Sequence, residues 1–324
     1  MSKQMKKLMK RLRLKKCRSY LRYATFRWIM PSLGHDPLFH MNLAERAWPR
    51  VAAMTASRKY TDRIESIDCA AKIPVDEYSD ELQEHASNSR PFVLRGYIDK
   101  DKWELEQVKK EAGDSINNIR VGHYDEATDD PDVIRMRLAD FIDHISGQSK
   151  FPREDLLADE KGAYLANEAI PSLAKRLPVQ SIFPDTDSGK LFWLGSSSRS
   201  PLHCHQHCDV LLVQLVGNRK VMLVPPHQAS LVGCIPRNYN VCSAEFDPFE
   251  PDQQPSLATD LIHRLYYELN PGDALLIPGF WFHAVRVTEP SFAVSLFNKH
   301  EMPLAVGGGP RGPWQKRSYA QGWG

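Results

Sequence analysis

The sequence predicts a mainly β fold with α decoration, a closed barrel or a two-sheet jelly roll. Three observations carry that prediction. The C-terminal half holds short apolar runs separated by turn residues. Two of these runs, "DVLLVQLV" and "RKVMLVPP", are joined by "GNR", the signature of a tight hairpin. Earlier segments alternate such runs with stretches of helical spacing.

Taken in order, "RPFVLRGYI" (90–98) is a short apolar strand. "DKDKWELEQVKKEAG" (99–113) carries an Asp cap candidate, charged helical spacing and a terminal Gly, so a helix is expected. "MRLADFIDHIS" (136–146) reads as a second, amphipathic helix. "YLANEAIPSLAKRL" (164–177) mixes a strand with a turn of helix, and "KLFWLG" (190–195) is a strand ending in the loop "SSSRS". The polar connection 237–256 lacks strong periodicity, and the segment 235–260 that contains it is expected to border the mouth of the fold. "HRLYYELNPGDALLIPGFWFHAVRV" and "FAVSLFNKH" supply further strands, the first divided by the turn Pro271-Gly272-Asp273. No internal repeat is visible.

The chain has 324 residues, enough for a buried core, with 42% hydrophobic and 25% charged residues. No run reaches the roughly 18 apolar residues that a membrane-crossing helix needs. Six cysteines form no CxxC pair, which suits a reducing compartment. An intracellular site follows, cytoplasmic or nuclear, with the mitochondrion left open. The net charge of +2 hides an asymmetry: no acidic residue precedes Asp36, while Lys and Arg recur from Lys3 to Arg27. That start could contact nucleic acid or an anionic surface, or be a solvated tail. The domains expected are a basic appendage over 1–60, a jelly roll over 61–302 and a flexible Gly/Pro-rich tail over 303–324.

Chemistry concentrates in "SPLHCHQHCDV". Residues two apart on a strand share a face, so His203 and His205 would aim at one interior point with Cys204 turned away. Imidazole suits Fe, Ni, Cu and Zn. His283, in "PGDALLIPGFWFHAV", is the candidate third ligand, placed at a barrel mouth. A lone histidine in an apolar strand is more commonly a hydrogen-bonded core residue; the constellation is what points to a metal. His207 and His263 read as surface or supporting residues. Asp209, in register with the first two histidines if the strand is regular, would be a fourth ligand or orient an imidazole. Cys204 and Cys208 cannot easily close a zinc shell from one short strand.

The paired motifs "SPLHCH…LLVQLVGNRKVMLVPP" and "LNPGDALLIPGFWFHAV", with "RPFVLRG" and "YLANEAIP", resemble the cupin-like branch of the JmjC oxygenases from Ile67 to His300. That branch includes the tRNA wybutosine hydroxylase and the asparaginyl hydroxylase of hypoxia-inducible factor. The resemblance implies a double-stranded β-helix (jelly roll) and an Fe(II)- and 2-oxoglutarate-dependent hydroxylase. Its C–H substrate would be a protein, a tRNA or a small molecule, and homodimers are common among such proteins. It also implies that His203 and His283 ligate iron. The family's acidic ligand, two positions after the first histidine, is here His205. Fe(II), one carboxylate and dianionic 2-oxoglutarate carry a single net negative charge, whereas three neutral imidazoles leave the complex neutral.

By the same resemblance the distal carboxylate of 2-oxoglutarate would be held two positions after the hairpin glycine, Gly217. That position is Arg219, where Lys is usual, with Lys220 beside it. Ser200 and Asn298 are further cosubstrate candidates. Two other functions fit the residues: a three-histidine cupin dioxygenase independent of 2-oxoglutarate, and a catalytically inactive jelly roll that binds a partner such as RNA.

Overall fold

The computed structural model describes residues 65–68, 90–121, 132–152, 162–177, 189–205, 208–228, 232, 234–236, 241–244, 249 and 262–299. The basic start, the tail after Met302 and His207 lie outside them. Two sheets form the body. The larger runs, edge to edge, through β1 (Glu65–Asp68), β2 (Phe92–Arg95), β14 (Ala274–Ile277), β9 (Cys208–Val216), β16 (Ser291–Lys299), β6 (Lys190–Gly195), β5 (Ala163–Ala169), β3 (Ile116–Val121) and β4 (Asp132–Arg137). The smaller runs through β11 (Cys234–Pro236), β12 (Val241–Ala244), β8 (His203–His205), β15 (Phe282–Val287), β10 (Arg219–Val224) and β13 (Leu265–Leu269). The short β7 (Ser198–Arg199) pairs with β15. This is the jelly roll that the sequence predicts.

Alternation along each strand divides the apolar residues between two cores. Val210 and Leu212 of β9, Val221 and Leu223 of β10, Leu275 of β14 and Ala293 of β16 fill the space between the sheets. Leu211, Val213 and Leu215 of β9, with Phe292 and Val294 of β16, face the other way. There they meet three helices: α1 (Leu105–Ala112), α2 (Leu138–Ile145) and α3 (Pro171–Arg176). Strands buried on both faces read as unbroken apolar runs, which is why "DVLLVQLV" shows no polar alternation. Val108 and Ala112 bury one stripe of α1, and Phe141, Ile142 and Ile145 that of α2.

Several element boundaries differ from the sequence reading. Asp99 does cap, but it caps a short 3-10 turn at Lys100–Lys102, accepting from the Asp101 N–H; α1 begins later, at Leu105, and Gly113 is its C-cap. The helix expected from 136 starts at Leu138, because Met136 and Arg137 complete β4 paired with β3. The connection 237–256 contains β12, whose Val241 and Ser243 pair with His205 and His203. Its segment "VCSA" is too short to show a period.

Candidate metal centre between the sheets

Both histidine motifs sit where the chain crosses from one sheet to the other. "HCHQHCDV" is not one regular strand: β8 ends at His205 in the small sheet and β9 begins at Cys208 in the large one. "ALLIPGFWFHAV" likewise splits, with β14 in the large sheet and β15 in the small one. The crossings carry the rings into the space between the sheets.

His203 and His283 are direct cross-strand partners in the antiparallel pair of β8 and β15. Partners of that kind share a face, so their rings stand side by side, with centroids 4.2 Å apart. His205 joins from two residues along β8, its centroid 5.2 Å from each of the others. One ligand nitrogen from each of the three lies within 4.8 Å of the others. His283 and His205 are buried and His203 is half-buried. Cys204 is not in this ligand group, and it is buried too.

The tautomers follow from the backbone. Nδ1 of His203 lies 2.9 Å from the Pro201 carbonyl oxygen, and Nδ1 of His283 lies 3.1 Å from that of Trp281. A carbonyl oxygen only accepts, so Nδ1 donates in both rings and Nε2 is the nitrogen that carries the lone pair. Burial pushes His203 below its ordinary value, opposed by backbone hydrogen bonds to Pro201 and His283. Burial also pushes His283 well down, with His203 beside it adding to the effect. Neutral imidazoles with exposed lone pairs are the form that a divalent transition metal binds. The donor set therefore fits an Fe(II)-type ion.

The turn before β15 is pinned onto this strand. The Phe280 N–H donates to the His205 carbonyl oxygen at 2.7 Å, with Phe280 held at φ 70°, a conformation few non-glycine residues adopt. The Gly279 N–H donates to Oδ1 of Asp209 at 2.7 Å. His205 packs edge-on against Phe297 at 5.6 Å.

That bond corrects the expected place of Asp209. The crossing between β8 and β9 breaks the register, and Asp209 falls on the face of Leu211 and Val213, away from the histidines. Among the described residues the cluster of candidate ligands contains the three histidines and not Asp209. Asn298, opposite Asp209 in the β9–β16 register, shares that outer face and donates to Oδ2 of Asp209 at 3.4 Å. Neither residue lines the space between the sheets.

The two basic candidates also separate. Arg219 is buried and Lys220 is exposed, as alternation on β10 requires. Arg219 shares its face with Val221 and Leu223, both in the inter-sheet core, so its side chain turns inward. Its Nη2 lies 3.5 Å from Oγ of Ser291, and its Nε has no partner among the described residues. Burial pushes its guanidinium down to about 10, which leaves it charged at neutral pH. Ser200 accepts from the Val285 N–H at 2.9 Å and donates its own N–H to the Val285 carbonyl, so it ties the chain before β8 to β15. His263, expected at the surface, is half-buried, and its N–H donates to Gln228.

Sequence reasoning passed over Gln214, Ser291, Ser295 and Trp193. Ser295 accepts from Nε1 of Trp193 at 2.9 Å. The available signal was parity: on β16 the serines at 291 and 295 share the inward face of Ala293 and Phe297, and Gln214 is the lone polar residue of its apolar run after Asp209.

The chain matches the cupin-like domain over residues 35–302, a span that begins inside the segment set apart as a basic appendage. It is similar to Jumonji C domain-containing protein 5 of Drosophila melanogaster, 26% identical over 210 residues (60% of this chain, 50% of that protein). It is similar to lysine-specific demethylase 8 of Xenopus tropicalis, 23% identical over 223 residues (64% and 48%). A third relative is tRNA wybutosine-synthesizing protein 5 of Danio rerio, 28% identical over 134 residues (40% and 39%). The chain spans half or less of the length of these relatives.

Proposed function

Because this chain belongs to the cupin-like domain family, we propose that it is an Fe(II)- and 2-oxoglutarate-dependent oxygenase of JmjC type that hydroxylates a C–H bond. The observation that carries this reading is the meeting of His203, His205 and His283, from two distant motifs, with their ligand nitrogens within 4.8 Å of one another. Bound there, the iron and its cosubstrate would supply O2 activation coupled to oxidation of 2-oxoglutarate. The protein's part is binding and orientation. His203 and His283 present Nε2, their tautomers held by backbone carbonyls, and His205 completes the set.

Arg219 is the group proposed for the distal carboxylate. It is buried and has no carboxylate partner among the described residues. A cation buried that way is complemented by an anion brought from outside. Its place on β10 suits a small dicarboxylic acid. Leu223 is the register partner of His283, and Arg219 lies four residues before it, about 13 Å along the strand at roughly 3.3 Å per residue. A bidentate guanidinium reaching back along that distance grips the far end of such an acid.

Relatives carry names from demethylation and tRNA modification. The proposed substrate is accordingly a C–H bond of a protein, a tRNA or a small molecule. The catalytic domain would be 61–302, with the basic segment 3–27 free to contact nucleic acid or an anionic surface. Homodimerisation and an intracellular site, cytoplasmic or nuclear, belong to the same reading. No helix among the described residues is long and apolar enough to cross a membrane.

A second reading has an observation of its own: the imidazole of His205 where the family has a carboxylate favours a three-histidine dioxygenase that needs no 2-oxoglutarate. Anaerobic titration separates the two. Fe(II) is added to the purified protein, then 2-oxoglutarate, and the visible spectrum is followed. A charge-transfer band that appears with 2-oxoglutarate supports the first reading. Iron uptake with no response to 2-oxoglutarate supports the second. No iron uptake contradicts both and leaves a binding scaffold.

A further inference from the structure

Gln214, Ser291 and Arg219 form a polar cluster buried at the hairpin end of the inter-sheet space. Gly217, at φ 66°, turns the β9–β10 hairpin so tightly against the start of β16 that a side chain there would run into the Pro290 carbonyl. That approach brings Arg219, two residues on, to Ser291. Gln214 is held through its backbone, with its N–H on the Asp273 carbonyl and its own carbonyl accepting from Gly272.

The hydrogen bonds fix the direction of each group. Nε2 of Gln214 lies 2.7 Å from the Val216 carbonyl oxygen, 2.8 Å from that of Gly217 and 2.9 Å from Oγ of Ser291. Two carbonyl acceptors settle which end of the amide is nitrogen, because an oxygen there would meet two oxygens. Nε2 has two hydrogens for three acceptors, so Ser291 Oγ shares one of them with a carbonyl, and it lies 3.5 Å from Nη2 of Arg219. A hydroxyl accepts twice and donates once. The Ser291 O–H itself makes no hydrogen bond to an acceptor among the described residues, and Oε1 of Gln214 is a buried acceptor with no partner there. Nε of Arg219 is a second buried donor with no partner there.

We infer that Ser291 is a second donor to the carboxylate held by Arg219, and that Gln214 is the positioning residue that turns the Ser291 hydroxyl toward it. The ligand class is a dicarboxylic acid of the 2-oxoglutarate type, so the inference rests on the proposed cosubstrate. The Ser291 O–H and the Nε–H of the Arg219 guanidinium are two buried donors for the two oxygens of a carboxylate.

Calorimetry under anaerobic conditions on the full chain, loaded with Mn(II), tests it. The dissociation constant of 2-oxoglutarate is measured for wild type, Ser291→Ala, Gln214→Met and the double variant. Mn(II) affinity and the melting temperature are read alongside. The expected result is about tenfold weaker 2-oxoglutarate binding for Ser291→Ala, the size of one hydrogen bond to a charged group. Gln214→Met loses several-fold, and the double variant is no weaker than Ser291→Ala, since both act through one hydroxyl. Mn(II) affinity stays at the wild-type level. Wild-type-like 2-oxoglutarate affinity in Ser291→Ala overturns the inference and leaves the cosubstrate reading standing. Additive losses that follow melting temperature overturn the positioning role of Gln214. A wild type that binds Mn(II) but no 2-oxoglutarate overturns the cosubstrate reading and this inference together.

Discussion

His203 and His283 are register partners on adjacent antiparallel strands, their ring centroids 4.2 Å apart, although 80 positions separate them in the chain (283 − 203 = 80). Two imidazoles so close, His283 buried and His203 half-buried, are costly to protonate, and a shared divalent ion gives both lone pairs a partner. Replacing either ring by Ala is expected to weaken Fe(II) binding by more than about 100-fold, beyond the range of outer partners. Equilibrium dialysis measures it.

Asp209 supports the turn that leads to His283 through its bond to the Gly279 N–H. Asp209→Ala is expected to destabilise the fold by about 1 kcal/mol, since it leaves a part-buried N–H without its acceptor. Asp209→Asn keeps one acceptor oxygen and loses less. Chemical denaturation gives both values. If Asp209→Ala instead abolished metal binding with the stability unchanged, Asp209 would be a ligand after all.

Stability should fall with acid. The folded state holds His203 and His283 below the ordinary 6.5, so below that value the unfolded chain binds protons that the folded chain refuses. The histidine contribution is fully present above about 6.5 and is lost as pH drops from there toward the folded values. Melting temperatures of metal-free protein between pH about 7.5 and about 5.5 should decline, and the decline should be shallower in His283→Ala. A flat profile would contradict the neutral pair.

Arg219 and Lys220 are adjacent in sequence and opposite in orientation. Arg219→Ala is expected to weaken 2-oxoglutarate binding by on the order of 30-fold, with Lys220→Ala unchanged. Calorimetry on both variants decides it, and the reverse ranking would mean that β10 is turned the other way.

Much of this arrangement was legible in the sequence, and the limits have physical causes. The alternation rule placed His203 and His205 on one face because three residues of β8 suffice for it. It failed for Asp209, because the crossing after His205 resets the parity and leaves no mark in a run of apolar and polar residues. The same kind of crossing, at Pro278 and Gly279, was hidden inside what read as one strand ending in His283. β12 was illegible because four residues show no period, yet it is the partner that flanks β8. The Gln214–Ser291–Arg219 cluster depends on a hairpin meeting another strand, which only tertiary contact reveals.

The most direct test is the metal content of the purified protein after anaerobic Fe(II) loading and desalting, for wild type and for His203→Ala, His205→Ala and His283→Ala. A single bound ion in the wild type, lost in all three variants while each still melts cooperatively, is the predicted result. Full iron retention in the folded variants, or none in the wild type, would contradict the three-histidine centre.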